Sequence, residues 1–198
     1  MLWEARFFYY NGLGLDAWNV LHDGVRNLLN IKFGAAYVTV SIVMLSIAII
    51  MGEKLGAGTI LNGLLIGNFL QMNIDLGFLK MQSSPIWGML YTIIGMIVTG
   101  IGYYFYMGAG MGSGPRDSFV VAVSRRLKIK VGYVKSLSKI LAIIIGYLPG
   151  GYFGIATVIT AIFTGITVQK VFDIMKFDPK TVPHESIKET LKKINRAR

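Results

Sequence analysis

Five stretches of this chain are apolar and long enough to cross a bilayer as helices: residues 34–52, 57–79, 86–107, 132–150 and 153–175. At about 1.5 Å of rise per residue, roughly 20 residues cover a hydrocarbon core. A helix also satisfies its own backbone groups, which lipid cannot do. The runs therefore predict an all-α, polytopic membrane bundle. A soluble domain is excluded by composition, because 54% of residues are hydrophobic and only 15% are charged, too few to cover a folded surface. The connections "GEKLGAG", "KMQSSP" and "LPGG" are short, so the spans read as one membrane domain over 1–175 with a basic tail over 176–198.

A net charge of +10 would suggest nucleic acid in a soluble protein, but here the basic residues cluster at helix ends. Arg125, Arg126, Lys128 and Lys130 form one cluster and the tail forms another. Two spans run out and back between them, and the positive-inside rule then makes the tail cytoplasmic. The expected partner is the lipid bilayer, with no nucleic acid. The chain has no cysteine, which removes disulfides and thiolate metal sites. "MLWEARFFYY" lacks the basic, apolar and small-residue regions of a signal peptide.

Sliding the chain along itself by 98 positions aligns fifteen identities without a gap between residues 12 and 75, among them Gly12, Gly14, Lys32, Gly34, Thr59, Gly67, Gln71 and Asp75. Matched Gly, Lys, Gln and Asp do not follow from apolar composition alone, so the pattern predicts two internal repeats, 1–79 and 86–175. The counterpart of span 86–107 would begin about 12 residues before Met1. The first transmembrane helix of repeat one is therefore expected to be truncated, or the start assigned to an internal Met.

Each repeat also contains a short helix after a Gly-rich break, expected over 16–30 and 115–128. Fourteen or so residues reach only about 21 Å, too little to span untilted. In the first, Ala17, Val20, Leu21, Gly24 and Leu28 share one face, opposite Asp16, Asn19, His22, Asp23, Arg26 and Asn27. Both helices are expected to be interfacial or re-entrant, which makes the repeats inverted. If they crossed, the repeats would be parallel. The breaks, "NGLGLDAW" and "GAGMGSGPRD", have neither the Gly-Lys-Ser/Thr of a P-loop nor the context of a dinucleotide fingerprint. They suit tight turns, with Asp16 as a cap and Pro115 and Asp117 opening a helix.

"LGLDAWNVLHDGV", "GAGTILNGLLIGNFLQ" and "GAGMGSGPRDSFVVAVSRR" together resemble the YczE/YyaS/YitT group of bacterial multi-pass membrane proteins, and most closely its YczE-type branch. The resemblance covers 11–175 and implies a protein of the bacterial cytoplasmic membrane. One branch of the group is linked to regulation of antibiotic or lipopeptide production. It implies no catalytic residues.

The candidate solute-binding residues are Asp16, Asn19 and His22 in repeat one, Gly110, Gly112, Gly114, Arg116 and Asp117 at the second break, and Asn62, Thr157 and Thr160 on the polar stripes of the third helices. Ionisable groups inside a membrane are costly and often functional. Capping, headgroup contact and helix packing explain the same residues without a ligand. Lys135 and Lys139 are expected to snorkel to headgroups. No metal site, cofactor or catalytic set is expected, so the chain is not read as an enzyme. Two readings remain open: a transporter-like protein with a small-molecule solute between inverted repeats, and a non-transporting regulator acting through a membrane partner or as a homo-oligomer.

Overall fold

The computed structural model describes residues 12–53, 56–76, 84–110, 112, 114–129 and 131–177. The expected stub of a first span and nearly all of the basic tail lie outside the described residues. Seven helices occur in order, with no strand among the described residues: α1 (Ala17–Leu29), α2 (Phe33–Ile50), α3 (Ala57–Asp75), α4 (Pro85–Gly108), α5 (Pro115–Leu127), α6 (Val131–Tyr147) and α7 (Ile155–Ile174). The starts of α1, α2 and α3 precede those of α5, α6 and α7 by 98 positions each.

Among the described residues three helices are long and apolar enough to cross a membrane: α2, α4 and α7, with mean hydropathies of 2.2, 1.5 and 1.6. The sequence led us to expect five. The other two are present as helices but are more polar. α3 carries Asn62, Asn68, Gln71 and Asn73 within its 19 residues, and α6, at 17 residues, carries Lys135 and Lys139. Large apolar side chains such as Ile42 and Val43 on α2, Leu61 and Leu65 on α3, Ile97 on α4, Ile144 on α6 and Ile166 on α7 face outward, as a bundle surrounded by lipid requires.

The short helices α1 and α5, 13 residues each, are bounded by matching local chemistry. Gly14 precedes α1 at φ +114 and Gly112 precedes α5 at φ +106, a region that glycine enters without steric cost. A Cβ on Gly14 would stand 2.5 Å from the Gly154 nitrogen, and one on Gly112 2.7 Å from the Gly56 Cα. Each turn is thus pressed against the start of the third helix of the other half. At their far ends, Asn30 (φ 51) and Lys128 (φ 57) close the helices in the left-handed conformation, donating their N–H groups to the carbonyls of Arg26 and Ser124. Asp117 in the first turn of α5 and Arg125 and Arg126 in its last both complement the helix dipole.

The closest packing pairs α4 with α7, α1 with α6, and α2 with α3 and α5. Gly24 of α1 and Gly146 of α6 lie back to back, so that a side chain on either would enter the backbone of the other helix. The end of α1 is fastened to the α6–α7 connection: Asn27 Nδ2 donates to the Gly150 carbonyl at 2.7 Å, and Asp23 accepts from the Tyr152 amide at 2.9 Å. The end of α5 is fastened to the α2–α3 connection by an Arg125–Glu53 ion pair at 3.0 Å. On α4 the buried face is the small-residue seam Gly88, Thr92, Gly95 and Thr99, a surface that lets helix backbones approach closely.

The amphipathic pattern of α1 does not divide lipid from water. Every residue from Ala17 to Gly24 is buried, including Asn19, His22 and Asp23, whereas Leu28 is 70% exposed. The polar face of the first two turns looks into the bundle, so this part of α1 is packed within the protein.

Replacing Gly146 with Val should therefore destabilise the purified protein by about 2 kcal/mol or more, as overpacking against fixed backbone does. Gly165→Ala, whose Cβ would meet nothing within 4 Å, should be neutral or stabilising by up to about 1 kcal/mol. Thermal unfolding followed by size-exclusion chromatography reads both.

Candidate functional site

The first residues of α1 and of α5 reach one cavity of about 630 Å³ in the centre of the bundle. Asp16, Ala17, Trp18 and Asn19 enter it from one helix and Gly114, Pro115, Arg116 and Asp117 from the other. Tyr37 and Ser41 of α2, Asn62 and Ile66 of α3, Thr99 and Tyr103 of α4, Lys135 and Lys139 of α6, and Thr160 and Thr164 of α7 complete its polar and aromatic wall. Many of these positions fall in pairs 98 apart: Trp18 with Arg116, Tyr37 with Lys135, Ser41 with Lys139, Asn62 with Thr160, and Ile66 with Thr164. The paired residues differ: Trp18, Tyr37 and Ser41 of the first half stand against Arg116, Lys135 and Lys139 of the second.

Five ionisable side chains converge here. Lys135 Nζ lies 3.1 Å from Asp117 Oδ1 and 5.9 Å from the centre of the Tyr103 ring. The Arg116 guanidinium sits over both Trp18 and Tyr37, at 5.5 and 5.2 Å from their ring centres, within cation–π range. Asp16 stands at the N-cap of α1 but closes no side-chain cap bond, and its Oδ1 is buried without a hydrogen-bond partner. Burial pushes its carboxyl above the ordinary value, against the opposing pull of Arg116, Lys139 and the Trp18 and Asn19 amides.

Of the residues singled out from the sequence, Asp16, Asn19, Asn62, Gly114, Arg116, Asp117 and Thr160 line the cavity. His22, Gly110, Gly112 and Thr157 do not. His22 is buried behind the wall, where its Nδ1 donates to Asn19 Oδ1 at 3.1 Å and its ring packs 4.5 Å from that of Tyr37. Burial and then the charge of Arg116 hold its imidazole well below the usual range, so it supports two wall residues as a neutral ring. Thr157 accepts the Gly154 N–H at the start of α7, a helix-end role. Gly110 and Gly112 shape the turn, both at positive φ. No group of three or more metal-ligating side chains occurs among the described residues.

The sequence reading missed Trp18, Tyr37, Ser41 and Tyr103 and assigned Lys135 and Lys139 to headgroups, whereas both lysines reach the cavity. A signal for them existed. Tyr37 and Ser41 stand one helical turn apart, as do their counterparts Lys135 and Lys139, but a search for identities passes over pairs that have diverged.

An apolar helical bundle around a charged central cavity defines an integral membrane protein. The family described as a family of unknown function (DUF6198) matches residues 5–173, and the chain belongs to it. An uncharacterized protein of Haemophilus influenzae is 30% identical over 175 residues, covering 88% of this chain and 79% of the relative. The uncharacterized membrane protein YczE of Bacillus subtilis is 26% identical over 161 residues, covering 79% and 73%, in agreement with the YczE-type motifs. No solved structure matches.

An aspartate whose carboxyl is raised in the folded state costs stability when ionised. The cost is absent well below pH 3.8, where the carboxyl is protonated folded and unfolded alike, grows as pH rises from there to the folded-state value, and is full above it. Asp16→Asn should therefore melt higher than the parent protein at pH 8, and the gain should fade as pH is lowered toward 4. Thermal scans across that range check it.

Proposed function

We propose that this chain is a transporter-like protein of the bacterial cytoplasmic membrane, built from two inverted repeats that hold a small charged solute in the cavity between them. The observation that carries this reading is the convergence of Asp16, Arg116, Asp117, Lys135 and Lys139 on one cavity inside a bundle whose outer surface is apolar. Charges in such a place are expensive to keep and typically mark a solute or ion pathway. Short helices whose N-termini point at a central site are also a recurring device of transporters.

Two contacts favour inverted over parallel repeats. If α1 and α5 crossed the membrane, Glu53 and Arg125 would end on opposite faces, roughly 30 Å apart, as would Asn27 and Gly150. The first two form an ion pair at 3.0 Å, and the second two share a hydrogen bond of 2.7 Å. With α1 and α5 entering and not crossing, both contacts lie on single faces. The α5 end and the C-terminal tail are then cytoplasmic and the α1 end is outside, and α3 and α6 join α2, α4 and α7 as spans. Reporter tags after Lys32 and Lys80 should both report the outside; if both report the cytoplasm, the inverted arrangement is wrong.

A solute that binds only the folded protein raises its apparent melting temperature by an amount set by concentration over affinity. A panel of small anions, amines, amino acids and metabolites should therefore contain at least one compound giving a saturable shift. Asp117→Asn, which releases Lys135, should weaken that shift about tenfold or more in half-saturating concentration, by loss of a charged partner worth about 1.5–3 kcal/mol. If nothing shifts the parent protein, the solute reading fails and the alternative of a regulator with membrane partners takes its place.

A further inference from the structure

Resting on the solute-binding reading, we infer that the cavity recognises a zwitterion: an ammonium and an anionic group a few bonds apart, attached to an apolar remainder. Two of the five cavity charges are satisfied within the protein, Asp117 and Lys135 by each other. Arg116 is held over Trp18 and Tyr37. The other two are satisfied only in part or not at all: the Trp18 and Asn19 amides bear on the Asp16 carboxylate, but one of its oxygens is left over. Asp16 Oδ1 is buried with no hydrogen-bond donor. Lys139, half-buried one turn along α6 from Lys135, feels the Asp16 carboxylate through space but forms neither a hydrogen bond nor an ion pair with a described residue.

A buried oxygen without a donor and a half-buried ammonium without an acceptor each carry a desolvation cost that only a matching group removes. An anion alone would satisfy Lys139 and leave Asp16 as it is. A cation alone would do the reverse and would add to Arg116, Lys135 and Lys139. A molecule with both charges satisfies both groups and leaves the net charge of the site unchanged. The wall also includes Ile66, Met107, Ile140, Ile143, Val168 and Phe172, which suit an apolar side chain. A free amino acid and the headgroup of a zwitterionic phospholipid share this chemistry.

The test uses the full chain purified in detergent and its apparent melting temperature. Leucine and phenylalanine are compared with the acids and amines that keep one charge each: 4-methylpentanoate and 3-methylbutylamine, 3-phenylpropionate and phenethylamine. Dihexanoyl phosphatidylethanolamine is the lipid arm. At least one zwitterion should give a saturable shift at a concentration tenfold or more below its one-charge counterparts. A shift from the amino acids identifies a free solute, and one from the phospholipid alone identifies a headgroup. Asp16→Asn should erase the advantage over the acids and Lys139→Gln the advantage over the amines, so the two variants fail in opposite directions even if one of them folds poorly. If a one-charge compound binds as well as or better than every zwitterion, the inference is overturned while the solute site stands. If no compound shifts the protein, both fall.

Discussion

An ionised side chain inside an apolar bundle must meet water, a counter-charge or a ligand, and the fold is arranged around that constraint. Asp16, Arg116, Asp117, Lys135 and Lys139 come from three separate segments of the chain and meet at one cavity. The short length of α1 and α5 makes this meeting practicable. A helix of 13 residues rises only about 20 Å, less than the hydrocarbon core, and each of the two begins at the cavity. The residues of each first turn face a cavity whose wall mixes charged, polar and apolar side chains. Back-to-back glycines on α1 and α6 hold one of these helices in place.

The two halves of the bundle divide the work unequally. Positions that shape the backbone are alike across the 98-residue offset: positive-φ glycines before α1 and α5 and left-handed residues after them, and a Gln bonded to an Asp one turn later near the end of α3 and of α7. Positions on the cavity wall are unlike. Trp18 and Tyr37 stand where the second half has Arg116 and Lys135, and the Arg116 guanidinium lies over both aromatic rings. Backbone-shaping positions thus match across the offset while wall positions differ, which leaves the pocket without symmetry.

Much of the fold was legible because it follows from period and length. Helix starts at Phe33, Ala57, Pro85 and Pro115 lie within a residue of where the apolar runs and Pro115 put them, and the glycine turns were readable from their spacing. The seat of α1 was not. Its alternating faces have the same pattern whether the polar side meets water or an internal cavity, and only the third dimension tells these apart. Lys135 and Lys139 were misread for the same reason, since a lysine near a helix start can reach headgroups or turn inward. Asp16, Arg116 and Asp117, which line the cavity, stood out because charge beside a break in an apolar chain is informative by itself. Trp18, Tyr37 and Tyr103 were missed because aromatic residues in a membrane helix ordinarily signal packing.

The central claim is that a polar, wetted cavity lies inside the lipid-facing bundle, and it can be tested directly because the chain has no cysteine. Single cysteines at Ser41 and Thr164 on the cavity wall, and at Ile42 and Ile166 on the outer surface, would be exposed in membrane vesicles to a charged methanethiosulfonate, which reacts with the thiolate that forms in contact with water. Fast labelling at Ser41 and Thr164, with Ile42 and Ile166 at least tenfold slower, is the predicted result. Labelling at Ser41 and Thr164 as slow as at the two lipid-facing positions would contradict the account.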